Sequence, residues 1–216
     1  MAEETVTKNS PTEKTTGGEN TVFDDKDNFT VSHPLSARWV LWFDIPKHKV
    51  EAANWMATLK TVYTITTIEE FWGVINNMAK ASQLPAGSNF HFFKEGVKPM
   101  WEDPENLHGG KWIISTPVQS GKDGVLDRMW IDTMLAVIGQ VLTDSESEVC
   151  GCVCSPRKAQ NRIALWTKSG DQRKIQEDIA KKWKVICQYE AGLSYQVHSE
   201  ASKRNSSFNN DDKFTA

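Results

Sequence analysis

The sequence predicts an α+β domain, an antiparallel β-sheet with helices packed against one face. Two observations point there. Six short apolar stretches read as strands and three longer ones carry helical periodicity, and the two kinds do not alternate in the regular order a parallel sheet requires. A sheet covered by helices on one side leaves its second face free, and that face is where a ligand can lie.

ARWVLWFDI, from Ala37 to Ile45, is aromatic and β-branched enough to be a strand. A polar connection follows, then TTIEEFWGVINNMAKA, a helix that Thr67 can cap and Glu70 can close with a capping box. LPAGSN breaks the chain before the strand-like NFHFFKEG. After the loop PMWEDPENLHGG comes KWIISTPV, another strand, with SGKDG as its turn. LDRMWIDTMLAVIGQVL is a helix with two apolar strips: Leu126, Met129, Trp130, Thr133 and Val137 on one, and Ile131, Leu135 and Ile138 on the other. Such a helix is either deeply buried or borrowed by a partner. EVCGCVCS and NRIALWTK form a hairpin through PRKAQ, DQRKIQEDIAKKWKVIC is an amphipathic helix, and LSYQVH is a last short strand. Residues 1–32 and 199–216 are polar and poor in apolar anchors, so they read as mobile tails around a domain spanning 33–198.

Composition narrows the function. At 216 residues, 39% hydrophobic and 25% charged, the chain suits one globular domain. A net charge of -3 gives no global field for gripping nucleic acid, so any anion site must be a local concentration of Lys and Arg. No apolar run approaches a membrane span and MAEETVTKNSPTEKTTGGEN lacks the pattern of a signal peptide, so an intracellular protein is expected. GxGxxG, GxxxxGK[ST], HExxH and GxSxG do not occur, and the five His residues are scattered, so neither catalysis nor a cofactor is expected. Cys150, Cys152 and Cys154 alternate in VCGCVC. That spacing puts three thiols on one strand face, as core groups rather than metal ligands, since no CxxC pair and no nearby His accompanies them.

The unusual count is nine Trp, at positions 39, 42, 55, 72, 101, 112, 130, 166 and 183, more indoles than a core of this size needs. Trp101 and Glu102 are neighbours in the loop. An exposed ring beside a carboxylate is the pair that holds a positively charged purine: the ring stacks, and the carboxylate accepts the adjacent N1–H and N2–H₂ donors that guanine offers and adenine lacks. The bland alternative is a loop tied down by its indole with Glu102 solvated. Trp55, in the polar stretch KVEAANWMATLK, is the candidate for a second stacking ring, and Arg157, Lys158 and Arg162 in PRKAQNR form a basic hairpin beside Trp166 that suits a phosphate chain.

Taken together, HPLSARWVLWFD, EEFWGV, FFKEGVKPMWEDPENLHGGKWII, LDRMWIDTMLAVIGQ, VCGCVCSPRK and RIALWT resemble the successive signatures of the small cap-binding subunit family of eukaryotic translation initiation factor four, in one order from His33 to His198. The resemblance implies a curved antiparallel sheet with about three helices on its convex face and the ligand site on the concave side. The ligand would be the 7-methylguanosine cap of messenger RNA, whose methylated guanine is cationic. Trp55 and Trp101 would sandwich the base, Glu102 would accept N1–H and N2–H₂, the Trp101 backbone N–H would donate to O6, and Trp166 would lie near the methyl group. Arg157 and Arg162 would bind the phosphate bridge, with Lys111 and Lys158 as weaker candidates. Gly109 and Gly110 would turn the chain into the strand on which Trp112 is core.

On the helical side, His33, Pro34, Ile68, Trp72, Ile131, Leu135 and Ile138 would receive a partner helix carrying Tyr and paired hydrophobic residues, from a scaffold initiation factor or an inhibitory binding protein. Leu135 and Ile138 also fit a core role. The same resemblance implies a monomer without membrane attachment, in the cytoplasm with the nucleus as a second compartment. It leaves open a translational repressor or message-specific adaptor with a weakened cap site. Three residues depart from the family pattern: Asn89 stands where many members have an Asp near the phosphate-binding Arg, Ala159 where a Lys is common, and Gln140 where a Glu is common. The connection from Asp44 to Trp55 also differs, and Ser206 or Ser207 lies near a phosphorylation site of some relatives.

Overall fold

A computed structural model describes residues 32–45, 58–145, 147–199 and 214–216. These form one antiparallel sheet of eight strands: β1 (Pro34–Asp44), β2 (Lys60–Thr67), β3 (Asn89–Lys94), β4 (Gly110–Pro117), β5 (Val149–Ser155), β6 (Gln160–Thr167), β7 (Ser194–Val197) and β8 (Phe214–Thr215). Their spatial order is β2-β1-β3-β5-β6-β4-β7-β8. Three helices of two turns or more, α1 (Ile68–Asn77), α3 (Val125–Ile138) and α4 (Arg173–Cys187), cover the convex face, together with the single turn α2 (Gln119–Lys122). This is the expected architecture.

Alternation along the strands builds two apolar layers from one sheet. Trp39 and Leu41 of β1, Phe90 and Phe92 of β3, Cys152 and Cys154 of β5, Ile163 and Leu165 of β6, and Trp112 and Ile114 of β4 face the helices in the main core. α3 adds the expected strip of Leu126, Met129, Trp130 and Val137, while Trp183 of α4 donates its indole N–H to Thr133 Oγ1 at 3.0 Å. The intervening residues gather a smaller cluster on the concave face, Phe93, Val97, Cys150, Val153 and Trp166, with Trp42, Trp101 and Ala164 packed against it.

The structure corrects four expectations. The polar connection contains strand β2, whose only buried residue is Ile65, so its hydrophobic signal was too thin to stand out. SGKDG is not a simple turn: the helical turn α2 overlaps it, and Gly124 follows with φ 74. The three thiols do not share a face. A register shift between Val149 and Gly151 carries Cys150 into the concave cluster, while Cys152 and Cys154 remain in the main core. Finally, residues 214–216 are not tail. Phe214 stacks on Tyr195 at 5.4 Å, and Ala216 and Leu193 exchange both backbone hydrogen bonds, which adds β8 to the edge of β7.

Candidate functional site

Strand register arranges the concave side chains in rows. Val40, Phe93, Gly151, Trp166, Lys111 and Gln196 are successive partners across β1, β3, β5, β6, β4 and β7. Two residues further along runs a second row through Trp42, His91, Val153, Ala164 and Ile113. Beyond that, Asp44 pairs with Asn89, and Arg162 pairs with Ser155 on one side and Ser115 on the other. The first row carries the aromatic pair Phe93 and Trp166, and the last row is polar. Trp166 and Arg162 lie four residues apart on β6, roughly 13 Å at the usual rise per strand residue. That separation suits a flat ring at one end and a phosphate chain at the other.

At the aromatic end, the loop between β3 and β4 lies over the row. Asp103 accepts from the backbone N–H groups of Lys98 and Glu105 at 2.9 and 3.0 Å, and the Asn106 amide donates to the carbonyls of Lys98 and Met100 at 2.8 and 2.9 Å. Both side chains are buried, so Asp103 and Asn106 act as a brace for the loop. The brace presents its neighbours. Trp101 is half-buried against the concave cluster, whereas Glu102 is exposed and has no hydrogen bond or ion pair to the described residues. Gly109 and Gly110 are required by close approach: a Cβ on Gly109 would lie 1.9 Å from the Thr167 carbonyl oxygen, and one on Gly110 would lie 2.5 Å from that of Gln196.

Trp166 is buried edge-on to Phe93, ring centroids 5.4 Å apart, with His198 at 4.1 Å on another side. Its indole N–H finds no acceptor among the described residues, which leaves a polar atom in an otherwise apolar wall. Lys111 on the neighbouring strand is only 6% exposed. Burial, and then the charge of Arg162, pull its pKa down to about 8. Burial and Lys111 together push His198 well below the usual imidazole range, so that ring is neutral at neutral pH.

At the polar end, Arg157 is half-buried and its guanidinium donates to the carbonyls of Ser88 and Pro156 and to Asn89 Oδ1, at 3.0, 2.8 and 2.6 Å. Arg162 faces the same region from β6, and Lys158 is exposed on the hairpin between β5 and β6. These cations make a local positive surface on a chain whose net charge is -3.

The family described as eukaryotic initiation factor 4E matches residues 34–213. The chain belongs to that family. Among the relatives of the 4E family, the eukaryotic translation initiation factor 4E of Candida albicans is 38% identical over 206 residues, 94% of this chain and 96% of that one. Among solved structures, the C. elegans eIF4E-3 complex with the 4E-binding protein Mextli aligns with a TM-score of 0.76 at 29% identity, covering 86% of this chain and 100% of that one. The Ascaris suum eIF4E-3 complex with the m7G cap gives the same TM-score and identity, covering 86% and 98%.

With the 4E family established, the sequence-predicted residues can be placed. Trp101, Glu102, Trp166, Lys111, Arg157, Lys158 and Arg162 come together on the concave side or its rim, while Trp55, Ser206 and Ser207 lie outside the described residues. On the opposite side, Ile68 and Trp72 are exposed one turn apart on α1, Trp72 at 41%, and Pro34 is exposed at the start of β1. His33 is tied to them: its carbonyl accepts from the Ile68 N–H at 2.9 Å, and its Nδ1 meets Glu69 Oε1 at 2.5 Å. Ile131 and Leu135 are half-buried, and Ile138 is buried in the core at 8%, so the second strip on α3 is narrower than its periodicity suggested. Sequence reasoning missed Asp44, His91, Asp103 and Asn106. The first two could have been found by extending the concave alternation of β1 and β3, which sets a carboxylate and an imidazole among apolar neighbours.

Proposed function

We propose that the chain binds the 7-methylguanosine cap of messenger RNA on its concave face and recruits a scaffold partner for translation initiation through its helical face. The observation that carries this is the pairing of half-buried Trp101 with exposed Glu102 on a loop braced over Phe93 and Trp166. A cationic guanine entering there gains ring stacking and a bidentate carboxylate contact, and its phosphates run toward Arg162 and Arg157. The role of second stacking ring goes to Trp55 on the family resemblance, since that residue lies outside the described ones. The family's solved complexes, one with m7G cap, one with a 4E-binding protein and one with both m7GpppA and 4E-BP, support both halves of the reading.

The exposed turn of Ile68 and Trp72, with His33 and Pro34 next to it and the half-buried Ile131 and Leu135 and the buried Ile138 on α3, supplies the residues of a helix-docking surface. Titration of intrinsic Trp fluorescence with 7-methyl-GTP and with GTP tests the cap half. The methylated nucleotide is expected to bind at least about tenfold more tightly, since a desolvated cation–π term contributes about 2 kcal/mol, and Glu102→Ala is expected to remove that binding, because the base loses its N1–H and N2–H₂ acceptor. Equal binding of the two nucleotides would sink the assignment. Loss of both, with a Tyr-containing helical peptide still bound, would favour the message-specific adaptor.

A further inference from the structure

At its polar end the concave face carries a buried cluster that cap recognition as described leaves without a role. Asp44, the last residue of β1, is 1% exposed. Its Oδ1 receives the Asn89 amide at 2.8 Å and meets His91 Nε2 at 2.7 Å. On the far side of the same amide, Asn89 Oδ1 accepts from Arg157 at 2.6 Å and from Ser155 Oγ at 2.8 Å.

A side-chain amide has two orientations of nearly equal shape, and only one of them offers oxygen to the guanidinium. Turned the other way, Asn89 would aim its NH₂ at Arg157 and its oxygen at a carboxylate, two repulsive contacts in place of two hydrogen bonds. Asp44 selects the productive orientation. Burial lowers the Arg157 pKa, and the charge of Asp44 is the main influence raising it again, against that of Arg162. Ser88, Pro156 and Asn89 engage three of its five N–H donors, and the other two meet no acceptor among the described residues.

We propose that Asp44, held by His91, is a positioning residue for phosphate recognition: through the Asn89 amide it fixes Arg157 and supplies from β1 the negative charge that position 89 lacks. The inference rests on the cap reading for the identity of the natural phosphate chain, but not for the anion site itself. It also gives Asn89 a compensation: the carboxylate has moved one strand away, and the amide relays it.

The experiment compares wild type, Asp44→Asn and the exchange Asp44→Asn with Asn89→Asp, all checked for cooperative melting. Each is titrated with 7-methyl-GTP, with the 7-methylguanosine nucleoside and with inorganic tripolyphosphate. Asp44→Asn is expected to weaken 7-methyl-GTP and tripolyphosphate about tenfold, the scale of a charge-assisted hydrogen bond, and to leave the nucleoside unchanged. The exchange is expected to restore binding, because its carboxylate meets Arg157 directly. Unchanged affinities, an equal loss for the nucleoside, or failure of the exchange to restore phosphate binding would overturn the proposal. Should Asp44→Asn not fold, Asn89→Ala breaks the relay while leaving the Asp44 and His91 pair intact, and the same selective loss is expected. If wild type ignores the methylated base yet binds tripolyphosphate in an Asp44-dependent way, the cap reading falls and the positioning role stands. If wild type binds none of the three, both fall.

Discussion

Lys111 shows what the proposed anion site costs the fold that carries it. A Lys whose pKa falls from 10.5 to about 8 is held charged at neutral pH against its burial, a penalty on the order of 3 kcal/mol. Between about pH 8 and 10.5 the unfolded chain binds more protons at this residue than the folded one, so its penalty fades as pH rises. Lys111→Met is therefore expected to raise the melting temperature at pH 7, and the gain should shrink toward pH 10. The same change should weaken tripolyphosphate at pH 7. A variant less stable than wild type at pH 7 would contradict this account. At this scale the sequence was informative about side chains whose role depends on their neighbours in the chain, such as Trp101 beside Glu102. It gave no sign that Asp44 and His91 meet, because they are 47 residues apart and come together only through the pairing of β1 with β3.

The helix bearing Trp72 is started by a local device readable in its first four letters. Thr67 Oγ1 accepts from the Glu70 N–H at 3.1 Å, and Glu70 Oε2 accepts from the Thr67 and Thr66 N–H groups at 3.2 and 2.6 Å. Thr67→Ala is expected to cost about 1 kcal/mol of stability, measured by denaturant unfolding. It should also weaken a Tyr-containing helical peptide, because Ile68 is the first residue of that helix. At the entrance to β4, Gly109→Ala is expected to cost about 1–3 kcal/mol or more, since the new methyl would collide with a backbone carbonyl that has no rotamer to escape into. Elements with a full buried face, such as β1, β3 and α4, were legible as patterns. Edge elements were not: β2 buries one residue, and β8 has only two.

For the molecule as a whole, one sheet separates two working surfaces. Trp101 and Trp166, proposed for the cap, lie on the concave layer and Trp72 on the helical side, with the main core between. Changes on opposite faces with no shared partner should be additive. Trp72→Ala is expected to reduce helical-peptide affinity by about tenfold or more, as for a central interface indole. It should change 7-methyl-GTP affinity by less than about twofold. A larger cross-effect would mean that the sheet transmits between its faces. The fold class and the two-faced plan were readable from the order of the strands and the two strips of α3. The curvature followed from the family resemblance rather than from any pattern in the strands, and the row register was not legible, because it arises from pairing between distant segments.

The addition of β8 to β7 has a practical consequence for anyone handling this protein. An uncovered sheet edge offers its N–H and C=O groups as a template to other chains. Phe214 and Ala216 occupy that template in cis, through the stack on Tyr195 and the paired bonds to Leu193. A preparation clipped before Phe214 should therefore lose its shelf life before it loses its ligand: the same affinity when fresh, but progressive self-association on standing, nucleated along β7.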